Sequence, residues 1–295
     1  MKIAYIVLAH KNIRQIRCLL EAIQDDDASI YLHIDRSAGK KVYQEAVGAL
    51  ADIKNLTYLY RHSSNWGGFG LVKATMEGVR ACLVDQEIKY AILLSGQDYP
   101  IKSKIALQSF LKANYGKSFM EVFPFPHPLW KDHGGYDRIK RWYFSVPIKQ
   151  TRLIKRFRSI LNQTMNILKP DRKFPVGFEP YGGAQWWCLH RDCLEYIERF
   201  FRANKSFVNF FKTVRIPDEL IFHTILMNSS LQSKIINRKL TYVDWNANPG
   251  PKFLNDNDLE EIIASDEFFA RKFDLELTPN IYYSIKLLSD VEETM

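Results

Sequence analysis

The sequence predicts an α/β fold in which a mostly parallel central sheet is flanked by helices. In the first half of the chain, short apolar runs alternate with helical patterns of about 10–15 residues, the arrangement of βαβ units with right-handed crossovers. The clearest strand lies in 89–103, where the apolar run 90–94 enters a Ser-Gly-Gln-Asp turn. Ligands of such sheets bind beyond the carboxyl ends of the strands, so Asp98 lies where chemistry is expected. A purely structural turn is the competing interpretation, because Asp is a common turn residue.

The elements are assigned from the period of their apolar residues. Short apolar or alternating runs predict strands at 2–9, 29–34, 56–60, 90–94, 118–123, 185–190 and 234–243. Apolar residues three and four positions apart predict helices at 13–23, 41–50, 71–83, 103–113, 150–169, 191–203 and 217–227, with two short helices near the C-terminus. Ser103 is placed to cap the fourth of these helices. Prolines and glycines between 124 and 135 predict a loop.

Composition favours one globular domain, 1–295, with 125–180 as an inserted basic loop and helix. The chain is 46% hydrophobic and 25% charged, and no apolar run approaches the roughly 18 residues of a membrane span. The N-terminal run lacks a small-residue cleavage site and is interpreted as the first strand. The four cysteines show no CxxC spacing, which suits reduced thiols. We therefore expect a cytoplasmic protein.

The net charge of +8 comes from one segment. Residues 138–173 hold eleven Lys and Arg against one acid, Asp171, which leaves 30 basic and 32 acidic residues elsewhere. Its helix, 150–169, carries both apolar residues and cations. Two interpretations stay open: an apolar face in the core, or peripheral contact of 150–168 with an anionic membrane. Nucleic-acid binding is a further alternative, although no recognisable nucleic-acid motif supports it.

Several polar or glycine-rich segments could form a site. Asp35, at the end of the second strand, suits contact with a ribose or a base, or else caps the next helix. The loop 65–70 brings three glycines and Trp66 to a helix start, where a phosphate or sugar can approach the backbone. In 181–187 two glycines precede two tryptophans whose side chains face opposite sides of a strand. One of these tryptophans is expected in the core and the other at a pocket.

The remaining candidates are acids at a helix start and cations near the C-terminus. Pro217, Asp218 and Glu219 open a predicted helix, where the macrodipole favours acids. Neighbouring residues diverge by about 100° around a helix, so Asp218 and Glu219 cannot share one site as a tight dyad, and if one is a base the other is expected to be structural. Lys272 and Lys252 could neutralise a diphosphate through charge-assisted hydrogen bonds. A solvated charge is the alternative for each lysine.

Taken in order, HIDRS, NWGGFGLVKA, LLSGQDYPIKS, GGAQWW, PDE and FARKFD resemble the core-2/I-branching β-1,6-N-acetylglucosaminyltransferase family. Peptide O-xylosyltransferases belong to the same glycosyltransferase family 14. The blocks span 33–274 and cover most of the chain. The resemblance implies a GT-A-like nucleotide-sugar-binding fold, a UDP-sugar donor, inversion at the anomeric carbon and no metal requirement.

Site roles follow from the same resemblance, residue by residue. It makes Glu219 the general base that takes the proton of the acceptor hydroxyl. It assigns donor-binding positions to Asp35, Trp66, Gly96, Asp98, Lys252 and Lys272. It assigns the acceptor side to Glu121 and Trp187.

No metal or other cofactor is expected beside the UDP-sugar. The D-x-D spacings at 25–27 and 256–258 lie in polar loops away from predicted strand ends. The strand that would deliver such a motif ends in 95–98 with one carboxylate, which would hold Mg²⁺ or Mn²⁺ weakly. Cations around Lys272 could stabilise the leaving UDP instead.

The animal members resembled here are membrane-anchored and disulfide-bonded, whereas this sequence shows neither feature. We therefore expect a bacterial-type enzyme of polysaccharide biosynthesis, at the inner face of the membrane if 150–168 contacts it. Its acceptor would be a glycan or a lipid-linked glycan. The sugar is N-acetylglucosamine, xylose or another UDP-linked sugar. A non-catalytic UDP-sugar-binding module is the remaining alternative.

Overall fold

The computed structural model describes residues 1–128, 130–145, 151–247 and 250–294. Its strands are β1 (Lys2–Ala9), β2 (Ala28–Ile34), β3 (Leu56–Tyr58), β4 (Ile88–Ser95), β5 (Tyr99–Pro100), β6 (Ser118–Met120), β7 (Phe123–Pro124), β8 (Tyr181–Gly182), β9 (Trp187–His190), β10 (Ile235–Asn237), β11 (Thr241–Val243) and β12 (Phe269–Arg271). Its α-helices are α1 (Ile13–Ile23), α2 (Lys40–Ala49), α3 (Gly70–Val84), α4 (Lys104–Ala113), α5 (Lys131–Gly134), α6 (Tyr136–Lys140), α7 (Arg152–Leu168), α8 (Arg191–Ala203), α9 (Lys205–Phe211), α10 (Ile221–Met227), α11 (Leu259–Ala264) and α12 (Pro279–Thr294).

The central sheet has seven strands in the order β10-β6-β9-β4-β1-β2-β3. Strands β1 to β4 are mutually parallel, and only β9 runs antiparallel to its neighbours β4 and β6. Strands β6 and β10 then continue in the parallel direction. The predicted α/β architecture with a mostly parallel central sheet is confirmed.

Helices cover both faces of this sheet, which explains the continuous apolar runs of its inner strands. On β4, Ala91 and Leu93 join the cluster formed with α3, α8, α9 and α10. Tyr90, Ile92 and Leu94 join the opposite cluster, formed with α1, α2 and α4. Successive side chains of β4 therefore alternate between two cores.

Two predicted strands are each divided between sheets. The segment 118–123 leaves the central sheet after Met120, and β7 pairs with β8 instead. The segment 234–243 supplies β10 to the central sheet and β11 to a small sheet with β12 and β5. The period of apolar residues does not show where a chain changes sheets.

The predicted helix 217–227 is interrupted. Residues Pro217–Glu219 form a 3₁₀ turn, and α10 begins only after Leu220, whose φ of −131° is not helical. Ile216, before the turn, has a left-handed φ of 55°. Glu219 therefore lies on a sharp turn and not in the first turn of an α-helix.

Helix α7 departs from the expectation of an apolar face in the core. Thr151 caps its N-terminus, and the predicted start, Gln150, lies outside the described residues. None of the residues of α7 is buried. Among the described helices, none is long and apolar enough to cross a membrane.

Candidate active site

The turn after β4 is joined to the segment after β12 by buried hydrogen bonds. Gln15 donates its Nε2 to the carbonyl oxygens of Gly96 and Phe273, at 2.9 and 3.0 Å. The Phe273 N–H donates to the carbonyl of Gln97 at 2.9 Å. A Cβ at position 96 would lie 3.1 Å from the Cβ of Ala9, so close packing favours glycine there. Gly96 thus lies at the carboxyl edge of the sheet, next to the end of β12.

Asp98 is fully buried and holds this edge together. Its carboxylate accepts hydrogen bonds from the N–H and the hydroxyl of Ser95, at 2.8 and 2.6 Å. The Nε of Arg271 lies 3.2 Å from Oδ1 of Asp98 in an ion pair. Burial raises the pKa of Asp98, and the charge of Arg271 opposes that rise. With 0% exposure, Asp98 acts on a ligand only through the groups it holds.

Arg271 lies between the turn after β4, which carries Asp98, and the segment that carries Trp186. Its guanidinium carbon lies 4.2 Å from the centroid of a Trp186 ring. Burial lowers the pKa of Arg271, whereas the carboxylates of Asp98 and Glu219 raise it. Arg271 therefore lies within the electrostatic reach of both the β4 turn and the predicted base.

The two predicted diphosphate-binding lysines differ in their surroundings. Lys272 is half-buried, and burial followed by the charge of Arg271 lowers its pKa. The Nζ of Lys252 lies 2.5 Å from Oδ1 of Asp258 and 3.8 Å from Oδ2 of Asp244. Two carboxylates already compensate Lys252, so Lys272 is the better placed cation for an added anion.

Asp35 caps the turn that follows β2, as one of the two interpretations of the sequence expected. Its two carboxylate oxygens accept hydrogen bonds from the N–H groups of Ser37 and Ser64, at 2.6 and 3.0 Å. A cavity of about 580 Å³ adjoins this turn. It is lined by Arg36, Tyr60, Arg61, His62, Ser63, Phe69, Gly70, Lys73, Ser145 and Lys212. These described lining residues include cations and no carboxylate, and neither Glu219 nor Lys272 is among them.

The glycine-rich loop before α3 packs against the turn that carries Glu219. Gly67 has a φ of 77°, and its carbonyl accepts a hydrogen bond from the Ile216 N–H at 3.0 Å. A Cβ at position 70 would lie 2.0 Å from the carbonyl oxygen of Ser63, which only glycine avoids. Trp66 is 68% exposed, so its ring is available to stack on a sugar.

The second glycine pair supports the Glu219 turn from the other side. The Gly183 N–H donates to the carbonyl of Glu219 at 3.1 Å. A Cβ at position 183 would lie 1.8 Å from the carbonyl oxygen of Glu121. This close approach requires glycine, and it brings Glu121 and Glu219 to the same region.

The carboxylate of Glu219 is held in a defined position. Its Oε2 accepts a hydrogen bond from Nη1 of Arg138 at 2.6 Å, and the guanidinium of Arg138 stacks 3.6 Å from the centroid of a Trp130 ring. Burial raises the pKa of Glu219, the charge of Arg138 opposes the rise, and the carboxylate of Glu121 adds to it. A partly buried carboxylate of this kind is suited to accept a proton.

The family of the chain is shown by a family model. The model described as Core-2/I-Branching enzyme matches residues 3–267. The chain belongs to the Core-2/I-branching enzyme family. This membership confirms the resemblance found in the six sequence blocks and supports the glycosyltransferase class.

Individual relatives of this Core-2/I-branching family member are distant. The chain is 26% identical over 302 residues to Xylosyltransferase 2 of Mus musculus. This alignment covers 93% of the chain and 32% of that protein. The chain is also 24% identical over 298 residues to Xylosyltransferase 1 of Homo sapiens, in an alignment that covers 93% of the chain and 29% of that protein. The chain thus spans about a third of the length of these relatives. A solved structure of an active-site mutant of LgtC matches with a TM-score of 0.45 and 11% identity, covering 92% of this chain and 87% of that one.

The structure corrects the assignment of the two tryptophans. Trp187, predicted on the acceptor side, is only 3% exposed and packs in the core against Phe222, with ring centroids 6.3 Å apart. Trp186 is half-buried and lies beneath Arg271. Since neighbours on a strand face opposite sides, the sequence limited the choice to one of the two but could not select it.

Two site residues were missed from the sequence. Arg138 counted only as one of many charges in the basic segment, and Arg271 only as a neighbour of Lys272. Arg138 contacts Glu219 across 81 residues of sequence. The only sequence signal for Arg271 was its place inside the FARKFD block.

Asp218, next to the predicted base, is 2% exposed, and its Oδ1 has no hydrogen-bond partner among the described residues. Burial, followed by the charge of Glu219, raises its pKa from 3.8 to about 8. Between these values the unfolded chain binds fewer protons than the folded chain, so this group lowers stability as pH rises from about 4 to about 8.

We expect Asp218→Asn to remove this contribution, because asparagine carries no charge at any of these pH values. The Tm of the variant relative to wild type should rise by roughly 3 °C or more between pH 5 and pH 8.5. Thermal unfolding of both proteins across this range is the measurement. Parallel Tm curves for the two proteins would show that Asp218 ionises normally.

Proposed function

We propose that this chain is an inverting glycosyltransferase that moves a sugar from a UDP-sugar to a glycan hydroxyl without a metal ion. The observation that carries the proposal is that Arg271 lies within electrostatic reach of both the partly buried carboxylate of Glu219 and the half-buried amine of Lys272. A base and a cationic diphosphate site are the two elements that such a transfer needs.

In the proposed reaction, Glu219 takes the proton of the acceptor hydroxyl while that oxygen bonds to the anomeric carbon. The bond from this carbon to the diphosphate oxygen breaks, and UDP leaves with the electron pair. Attack from the side opposite UDP inverts the anomeric configuration. Lys272 and Arg271 offset the charge that develops on the diphosphate. Trp66 would stack on a sugar, and Glu121 would contact the acceptor.

The carboxylate available as a metal ligand at the end of β4 supports a transfer that needs no metal ion. Asp98, the carboxylate at the end of β4, is buried and already paired with Arg271. A diphosphate would therefore be neutralised by protein cations. N-acetylglucosamine and xylose are the proposed sugars, and a glycan or lipid-linked glycan is the proposed acceptor.

The test is release of UDP from a panel of UDP-sugars, measured with EDTA and again with Mn²⁺. Turnover of one donor at the same rate in both conditions would identify the sugar and support metal independence. We expect Lys272→Met to weaken donor binding by about 10- to 100-fold, the effect of losing one charge-assisted hydrogen bond.

The matched control for Lys272→Met is Lys117→Met, because Lys117 is exposed before β6, at the opposite edge of the sheet. Lys252→Met should have a smaller effect than Lys272→Met, since Asp258 and Asp244 already compensate its charge. No turnover of any UDP-sugar, with Mn²⁺ and candidate acceptors supplied, would refute the donor assignment.

A further inference from the structure

Helix α7 presents a row of apolar side chains to solvent. Leu153, Phe157, Ile160, Ile167 and Leu168 are between 53% and 83% exposed. Successive members of the row lie 4, 3, 7 and 1 residues apart, which at about 100° per residue places all five within an arc of about 100° on one side of the helix. A long apolar row that faces water, and not the core, marks an interaction surface.

The opposite side of α7 is attached to the protein through asparagines. Asn162 Oδ1 accepts a hydrogen bond from the Phe144 N–H at 2.8 Å, and Asn166 Oδ1 accepts one from the Trp142 N–H at 2.7 Å. Asn166 also donates to the Trp142 carbonyl at 2.9 Å. These specific bonds fix the rotation of the helix, so its apolar row is held outward.

The charges beside the row are of one sign. Arg152, Lys155 and Arg156 are exposed, and the sequence of α7 contains no Asp or Glu. Arg152 and Arg156 lie about one turn apart, on the side of the helix that borders Ile160 and Ile167. An apolar row bordered by cations is complementary to acyl chains beneath anionic headgroups.

We propose that α7 binds the surface of an anionic lipid bilayer, lying in the interface with its apolar row inserted. The helix has 17 residues, which gives a length of about 26 Å along the membrane plane. Its cations prevent it from crossing the bilayer and hold it at the headgroups. A second copy of this chain fits less well, because two such helices would bring cations against cations. This proposal does not depend on the proposed transferase activity.

The experiment is flotation of the full chain with phosphatidylcholine vesicles and with vesicles of phosphatidylcholine and phosphatidylglycerol at about 3:1. We expect binding to the anionic vesicles, weakened by salt, and little binding to the neutral ones. Arg152→Gln with Arg156→Gln should weaken binding roughly 30-fold, the effect of two basic residues at an anionic surface. Phe157→Asp with Ile167→Asp should abolish it.

Matched control variants distinguish binding through α7 from nonspecific binding of exposed apolar or cationic side chains to vesicles. Val84→Asp replaces an apolar residue that is 84% exposed at the end of α3, and Lys40→Gln with Lys41→Gln removes two exposed cations of α2. Both should bind like wild type. All variants change exposed side chains, so their Tm values should equal that of the wild type.

Four results would overturn the proposal. The first is equal, negligible binding of wild type to both kinds of vesicle. The second is vesicle binding that survives Phe157→Asp with Ile167→Asp. The third is a wild-type dimer, seen by sedimentation, that these substitutions dissociate while vesicles bind neither form. Tight binding to an oligonucleotide without vesicle binding would assign the cations to nucleic acid instead.

Discussion

Replacing Glu219 by glutamine is expected to lower turnover by about 10²- to 10⁴-fold, the usual contribution of a general base. The substitution keeps the shape of the side chain and removes its ability to take a proton. The amide oxygen can still accept the hydrogen bond from Arg138. Donor binding should therefore stay within about threefold of wild type, since the diphosphate is expected to contact Lys272 and Arg271 and not Glu219.

The measurement is the single-turnover rate and the donor affinity of Glu219→Gln with the sugar that the panel identifies. Glu45→Gln is the matched control, because Glu45 is an exposed carboxylate on α2. Wild-type turnover in Glu219→Gln would exclude Glu219 as the base. Loss of donor binding together with a lowered Tm would show a structural role instead.

Replacing Arg271 by methionine is expected to destabilise the protein by about 3–5 kcal/mol, the range for breaking a buried ion pair on one side. Asp98 would keep its two hydrogen bonds from Ser95 but lose the cation 3.2 Å away. Its carboxylate must then stay charged in the interior or take up a proton. Because protonation is easier at low pH, the destabilisation should be smaller at pH 5 than at pH 8.

Urea unfolding of a double-mutant cycle measures this effect. Asp98→Asn combined with Arg271→Met removes both charges of this buried pair, so the double variant should be more stable than Arg271→Met alone. The Arg191→Met variant tests removal of a different arginine, one that donates to the backbone carbonyls of Asp85 and Leu83 on the outside of the sheet. The free energy of unfolding that Arg191→Met loses should not become larger from pH 5 to pH 8, as that of Arg271→Met should. A strictly additive cycle would show that Asp98 and Arg271 do not stabilise each other.

The sequence predicted the sheet and most of its helices because their signals are local. The apolar runs of β1, β2 and β4 and the spacing in α1, α3 and α8 follow from residues within one element. The same logic placed Gly96 and Asp98 at a strand end and Ser103 at a helix cap, where it accepts a hydrogen bond from the Ala106 N–H at 3.2 Å. Strand ends and caps depend on near neighbours in the chain.

The roles of individual residues were assigned from the sequence through the six family blocks. Strand-end position and charge had already marked Asp35 and Lys272 as candidates, whereas the role of Glu219 as the base came only from the blocks. All three roles remain predictions. Nothing in the residues around Glu219 indicated that Arg138 would hold it or that Arg271 would influence it. The pattern of 150–169 also could not show which side of the helix faces the protein. That side is fixed by Asn162 and Asn166, which accept hydrogen bonds from the backbone N–H groups of Phe144 and Trp142.

By itself, then, the sequence determined the α/β class, the family, the strand-end position of Gly96 and Asp98 and the local basicity of 138–173. Tertiary structure alone decided that Trp187 lies in the core while Trp186 contacts Arg271, that Glu219 lies on a 3₁₀ turn, and that the apolar row of α7 faces water. The physical reason is that period and capping act between near neighbours in the chain. Ion pairing, burial and pKa shifts depend instead on distances in space between residues far apart in sequence.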